Sequence, residues 1–121
     1  FGIIHNPNKF HDNNCDPFVA DVWEFPAVRR TFRLAILDGI VAQAHGGPAF
    51  LPGYAWNFGG LLVSTDPVAI DKVAESIIEK KRSELRLPSL DEEKRPPRYL
   101  RTAASRGLGS DNLDDIIIAR G

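Results

Sequence analysis

Three short apolar runs, each bounded by a turn signal, do most to restrict what this chain can fold into. Phe32-Arg-Leu-Ala-Ile-Leu37 is stopped by Asp38-Gly39, Gly60-Leu-Leu-Val63 runs into Ser64-Thr65-Asp66-Pro67, and Ile116-Ile117-Ile118 lies near the end. The runs are almost continuously apolar instead of alternating, which is the pattern of strands covered on both faces. Three buried strands are expected, with Phe1 to Ile4 a candidate fourth.

Helical signals separate the runs. Asp66 is placed to accept a backbone N–H as N-cap, Pro67 suits the first helical position, and Ile70, Val73, Ala74 and Ile77 recur at i, i+3, i+4 and i+7. The pattern predicts an amphipathic helix that stops or bends near Leu87-Pro88. Pro17 to Trp23 and Tyr99 to Ala104 predict two shorter helices, the second ended by Gly107, and Glu24 to Thr31 reads as an irregular or helical link interrupted by Pro26. Asp91-Glu-Glu-Lys-Arg95 followed by Pro96-Pro97 reads as a solvated connector. Strands that alternate with helices across crossovers of more than a dozen residues favour a parallel sheet. The expected class is therefore α/β, a mostly parallel small sheet with helices packed on it.

Length and charge narrow the rest. One hundred and twenty-one residues suit one domain and not two, and 43% hydrophobic with 26% charged residues is ordinary for a chain that folds. Fifteen basic against 16 acidic residues give a net charge of −1, and the arginines are spread over separate segments, so no nucleic-acid surface is indicated. No apolar run reaches the roughly 20 residues of a membrane helix, and one cysteine cannot form an intrachain disulfide. The start at Phe1 falls in mid-pattern without a signal-peptide layout, so residues 1–121 are read as a single α/β domain that is the C-terminal part of a longer one. Compartment stays open between the cytoplasm and export by a signal outside this segment.

In open parallel sheets, ligand groups come from loops at the carboxyl ends of strands, here Asp38 to Gly59 and Ser64 to Asp66. His45 to Gly59 combines glycines, which permit close backbone approach, with aromatics that can wall a pocket or simply seal one end of the sheet. Asp66 is explained by capping, whereas Asp71 sits beside the apolar stripe and needs a partner. His5, His11 and Cys15 form a candidate metal cluster, of which the His11-x-x-x-Cys15 spacing supplies two ligands where a zinc site ordinarily has three or four. His45 precedes a glycine pair and is suited to proton transfer near neutral pH, although a surface histidine has the same appearance. Phosphate-loop, dinucleotide and nucleophile-elbow patterns are absent.

Leu34-Ala-Ile-Leu-Asp38-Gly39, Gly46-Gly47-Pro48, Gly60-Leu-Leu-Val-Ser64-Thr-Asp66-Pro67-Val-Ala-Ile-Asp71, Ala103-Ala104 and Gly107-Leu108-Gly109 together resemble, in order and spacing, the later part of the domain-of-unknown-function family 362, over about Lys9 to Ile118. Lys9 and His11 look like a lysine and a histidine that the family places ahead of this block. The resemblance implies a prokaryotic α/β domain, in some members fused to or accompanied by ferredoxin-type iron–sulfur modules and in some exported by a twin-arginine signal. It implies no reaction. With one cysteine, this chain alone ligates no four-iron cluster.

The functional expectation is a metal- or anion-binding enzyme fragment with a carboxylate-lined pocket at the strand carboxyl ends. Its candidate catalytic residues are Asp38, His45 and Asp71, and its candidate binding residues are Gly46, Gly47 and Ser64. Asp38, Asp66, Asp71 and His11 are the candidate ligands of a divalent metal, with a small anion as the candidate ligand of the glycine amides. The alternative is a non-catalytic binding or docking module for an iron–sulfur redox partner.

Overall fold

The computed structural model describes residues 2–121. Its architecture is mixed α/β. Helices α1 (Phe18–Glu24) and α2 (Pro26–Thr31) lead into strand β1 (Ala35–Gln43), which returns as β2 (Ala55–Ser64), and then come the long helix α3 (Pro67–Glu84) and the short α4 (Tyr99–Ser105). Three-residue helical turns at Asn8–Phe10, Pro52–Tyr54 and Leu113–Asp115 and a four-residue one at Asp12–Cys15 complete the elements.

The sheet departs from expectation. Among the described residues it has two strands, and they run antiparallel, with Ala35 opposite Ser64, Ile36 opposite Val63, Asp38 opposite Leu61 and Gln43 opposite Ala55. The segment 45–59 is only partly a loop, because Ala55 to Gly59 already belong to β2. That leaves residues 44–54 to connect the strands, too few for the crossover that parallel strands require. The hairpin loop is held from within: Gln43 Nε2 donates to Ala49 O, Gln43 Oε1 accepts from Leu51 N–H, both at 2.8 Å, and Ala44 N–H bonds Tyr54 O at 2.9 Å.

Two expected strands do not form among the described residues. Ile116–Ile118 is extended but unpaired, with Ile117 97% exposed, and a crevice of about 140 Å³ separates the segment from β2. Gly2 to Ile4 form turns, and Phe1 lies outside the described residues.

The helices follow the sequence pattern more closely. Asp66 caps α3, its Oδ1 accepting from Val68 N–H at 2.8 Å and Ala69 N–H at 2.9 Å, with Pro67 at the first turn as expected. The buried Val68, Ala69, Ile70 and Val73 form the inward side of α3, which lies against both strands. On the sheet, Phe58 leans over Gly39 and Gly60, where an added Cβ would come within 2.8 and 2.9 Å of its ring. A second cluster, Ala20 of α1 with Val68, Leu100 and Ala103, packs α1 and α4 onto the start of α3, with Tyr99 and Leu108 at its margin. Burying a leucine such as Leu100 is worth roughly 2 kcal/mol, so this cluster fixes α4 firmly.

Candidate functional site

Antiparallel pairing decides where the sequence-derived candidates stand. In a parallel sheet the carboxyl ends of neighbouring strands lie side by side, but in a hairpin they lie at opposite ends. His45, Gly46 and Gly47 follow β1 on the hairpin loop, whereas Ser64 and Asp66 follow β2 at the far end, where Ser64 opposes Ala35. Nine strand residues at about 3.3 Å each separate the two ends by roughly 30 Å. Asp38 stands between them, three residues or about 10 Å in from the Ala35–Ser64 pair. Its side chain is exposed and its Oδ1 accepts from Ile40 N–H at 2.9 Å.

Several candidates have local partners. Ser64 Oγ accepts from Asp66 N–H at 2.9 Å, and the free side of the Asp66 carboxylate, Oδ2, accepts from Ser110 N–H at 2.9 Å. His11 bonds through Nδ1 to Pro7 O at 3.0 Å. Gly46 adopts φ +81°, a conformation suited to glycine, and an added Cβ would run into Leu51. Gly47 is exposed and precedes the cis-bonded Pro48. Among the described residues no three His, Cys, Asp or Glu side chains are grouped as metal ligands would be. Asp38, Asp66, Asp71 and His11 are therefore not brought together.

His45 and Asp71 have more informative surroundings. His45 Nδ1 lies 3.4 Å from Glu93 Oε1, close enough for ion pairing when the ring is protonated, although not aligned as a hydrogen bond. The same Glu93 oxygen meets Arg82 Nη2 at 2.7 Å. Arg82, 1% exposed, spends its other donors on Pro88 O, through Nε at 2.9 Å and Nη2 at 2.6 Å, and on Ala44 O through Nη1 at 2.7 Å. The edge-on contact of His45 with Tyr54, 4.8 Å between centroids, completes a network that joins the hairpin loop, α3 and the connector after it.

Asp71 faces α4. Tyr99 Oη donates to Asp71 Oδ2 at 3.5 Å, a long bond, and burial raises the Asp71 carboxyl above its ordinary pKa while the tyrosine pulls it back in part. Burial and the neighbouring Asp71 charge push the Tyr99 phenol well above its ordinary range, so it remains a donor. Burial also raises the Cys15 thiol above its ordinary pKa, which disfavours the thiolate.

Beside this pair opens a polar cleft of about 490 Å³ between α3, α4 and the connector, lined among others by Asp16, Lys72, Arg98, Arg101, Thr102 and Asp111. The N-terminal turn brings Asp16 into place: Asn13, Asn14 and Cys15 occupy the left-handed region at φ 51°, 55° and 66°, and Asn14 Nδ2 donates to Lys94 O at 3.1 Å. Asparagine tolerates this conformation better than most residues. Asp16 Oδ1 is enclosed without a hydrogen-bond partner. In the same cleft, Arg98 and Arg101 stand three residues apart at the start of α4, on one side of the helix, and neither meets a carboxylate among the described residues. Lys72 is paired with Glu75 at 2.6 Å. Sequence reasoning set these arginines aside as dispersed; their spacing just after Pro96-Pro97 is the signal that marks a shared helical side.

Fold and cleft together define a small mixed α/β fold with a charged recess. The family model described as Domain of unknown function (DUF362) matches residues 1–76, more than half of the chain, and the protein belongs to this family. The match covers α1 to the middle of α3, so Asp16, Asp38, Asp66 and Asp71 lie within it, while Arg98, Arg101 and the Ala103 to Gly109 motif lie beyond it. No curated protein and no solved structure matches the chain.

Proposed function

We propose that this chain is a binding domain whose cleft takes a small organic anion that also carries an ammonium group. The carboxylate of the ligand pairs with Arg98 and Arg101, whose planar guanidinium groups suit carboxylate geometry, and the ammonium group donates to Asp16. One observation carries this reading: Asp16 Oδ1 is enclosed and unbonded, and the recess that Asp16 helps to line is also lined by two arginines without carboxylate partners among the described residues. An enclosed carboxylate oxygen without a donor costs on the order of 1–3 kcal/mol, which a ligand donor recovers. This reading differs from the sequence expectation, which put the anion at the Gly46 and Gly47 amides: here the anion meets Arg98 and Arg101.

Titration calorimetry with glycine, L-alanine, N-acetyl-L-alanine, succinate and MgCl₂ tests the reading. L-Alanine is expected to bind at least tenfold more tightly than N-acetyl-L-alanine, Arg101→Gln to weaken both, and Asp16→Asn to remove the difference between them. Heat from none of the organic solutes, or affinity indifferent to both substitutions, would overturn it. Tight Mg²⁺ binding that disappears in Asp16→Asn would replace it with a cation site.

A further inference from the structure

The hairpin is aliphatic on both faces, and α3 covers one. On the other face Ile36, Ile40, Leu61 and Val63 are between 55% and 65% exposed. Ile36 and Val63 are directly opposed, as are Asp38 and Leu61, and directly opposed residues of an antiparallel pair share a face. Asp38 therefore stands in the middle of a bare aliphatic surface. One of its oxygens accepts from Ile40 N–H, and the other has no partner among the described residues.

That carboxylate determines what fits. A second copy of the chain packed face to face about a two-fold axis would enclose two Asp38 carboxylates in one aliphatic layer, a like-charge juxtaposition with no compensating donor. A lipid surface has the same defect, because the carboxylate would enter hydrocarbon unpaired. Two strands about 4.8 Å apart form a ribbon roughly 10 Å wide, the diameter of one α-helix with its side chains. We infer that the outer face of the β1–β2 hairpin receives an amphipathic helix from another polypeptide, aliphatic toward the sheet and carrying one lysine or arginine that meets Asp38.

Two labelled synthetic helices test this by fluorescence anisotropy: each presents a leucine face, one with a central arginine and the other with a central glutamate. The arginine helix is expected to bind at least tenfold more tightly than the glutamate helix. Asp38→Asn should abolish that preference and Asp38→Arg should invert it. Leu61→Glu should prevent binding of both with an unchanged circular dichroism spectrum, because Leu61 is exposed. Binding of neither helix, equal binding of both, a preference that survives Asp38→Asn, or binding to phosphatidylcholine vesicles in place of the arginine helix would overturn the inference. So would concentration-dependent dimerisation in sedimentation that Leu61→Glu removes.

Discussion

Asp66 Oδ2 accepts the backbone N–H of Ser110 at 2.9 Å, across 44 residues of chain, while Oδ1 of the same carboxylate caps α3. The residue that starts the longest helix also fastens the segment that returns after α4. Gly109 makes this possible, since a Cβ there would collide with the Asp66 carboxylate. Asp66 is thereby engaged in architecture on both of its oxygens.

Replacing Asp66 by alanine should cost about 2–4 kcal/mol, from a lost cap and a lost charge-assisted bond. Asn can still cap through its one oxygen but presents N–H groups toward Ser110, so Asp66→Asn should cost roughly 1 kcal/mol. Urea unfolding of the three proteins checks the order. Equal stability of Asp66→Ala and the parent chain would contradict the structural role.

Arg82 should be among the least replaceable side chains. Arg82→Met leaves Glu93 without its cation and two carbonyl oxygens, of Ala44 and Pro88, without donors; a loss of about 3–5 kcal/mol is expected. The double substitution Arg82→Met with Glu93→Gln should be less destabilising than the sum of the single changes, because it removes the stranded charge. Additivity in a denaturant series would show that the ion pair carries no coupling.

Asp71 makes stability depend on pH in a direction opposite to the usual carboxylate. Its folded-state pKa is raised, first of all by burial, so the fold prefers the protonated form. The contribution is present in full below the ordinary aspartate pKa of about 3.9 and is lost as pH rises through the higher folded value. Asp71→Asn should therefore raise the melting temperature at pH 7 and leave it nearly unchanged at pH 3. A gain of equal size at both values would place the cause outside this ionisation.

The helices were readable because their signals are local. The cap at Asp66, the proline after it and the 70-73-74-77 stripe lie within a dozen residues, and α3 begins where they place it. Strand pairing was not, because a continuous apolar run reports that both faces are greasy without reporting what covers them. Here one cover is α3 and the other is bare, so the inference from two apolar faces to a parallel sheet failed. Glycines disguised the first half of β2: Trp56 and Phe58 alternate with Asn57, a two-residue period, but Gly59-Gly60 broke the apparent run.

The site was legible only in part. Asp71 was recognised as a carboxylate in need of a partner, and Tyr99, 28 residues on, is that partner. Asp16, Arg98 and Arg101 were individually visible but became a recess only when the left-handed turn at residues 13–15 and the packing of α4 brought them together. Glu93 lies in a stretch whose composition reads as solvated, and nothing in its neighbours announces a buried arginine eleven residues earlier.

The lone carboxylate on the outer ribbon also bears on how this chain behaves at high concentration. Both long borders of the hairpin carry backbone groups that no further strand takes up among the described residues, the geometry from which fibrils propagate. In a stack that keeps the ribbons in register, Asp38 of one molecule would meet Asp38 of the next, and this repulsion opposes growth. Asp38 is in this respect a gatekeeper, and solutions of Asp38→Asn should cloud sooner than those of the parent chain at the same pH.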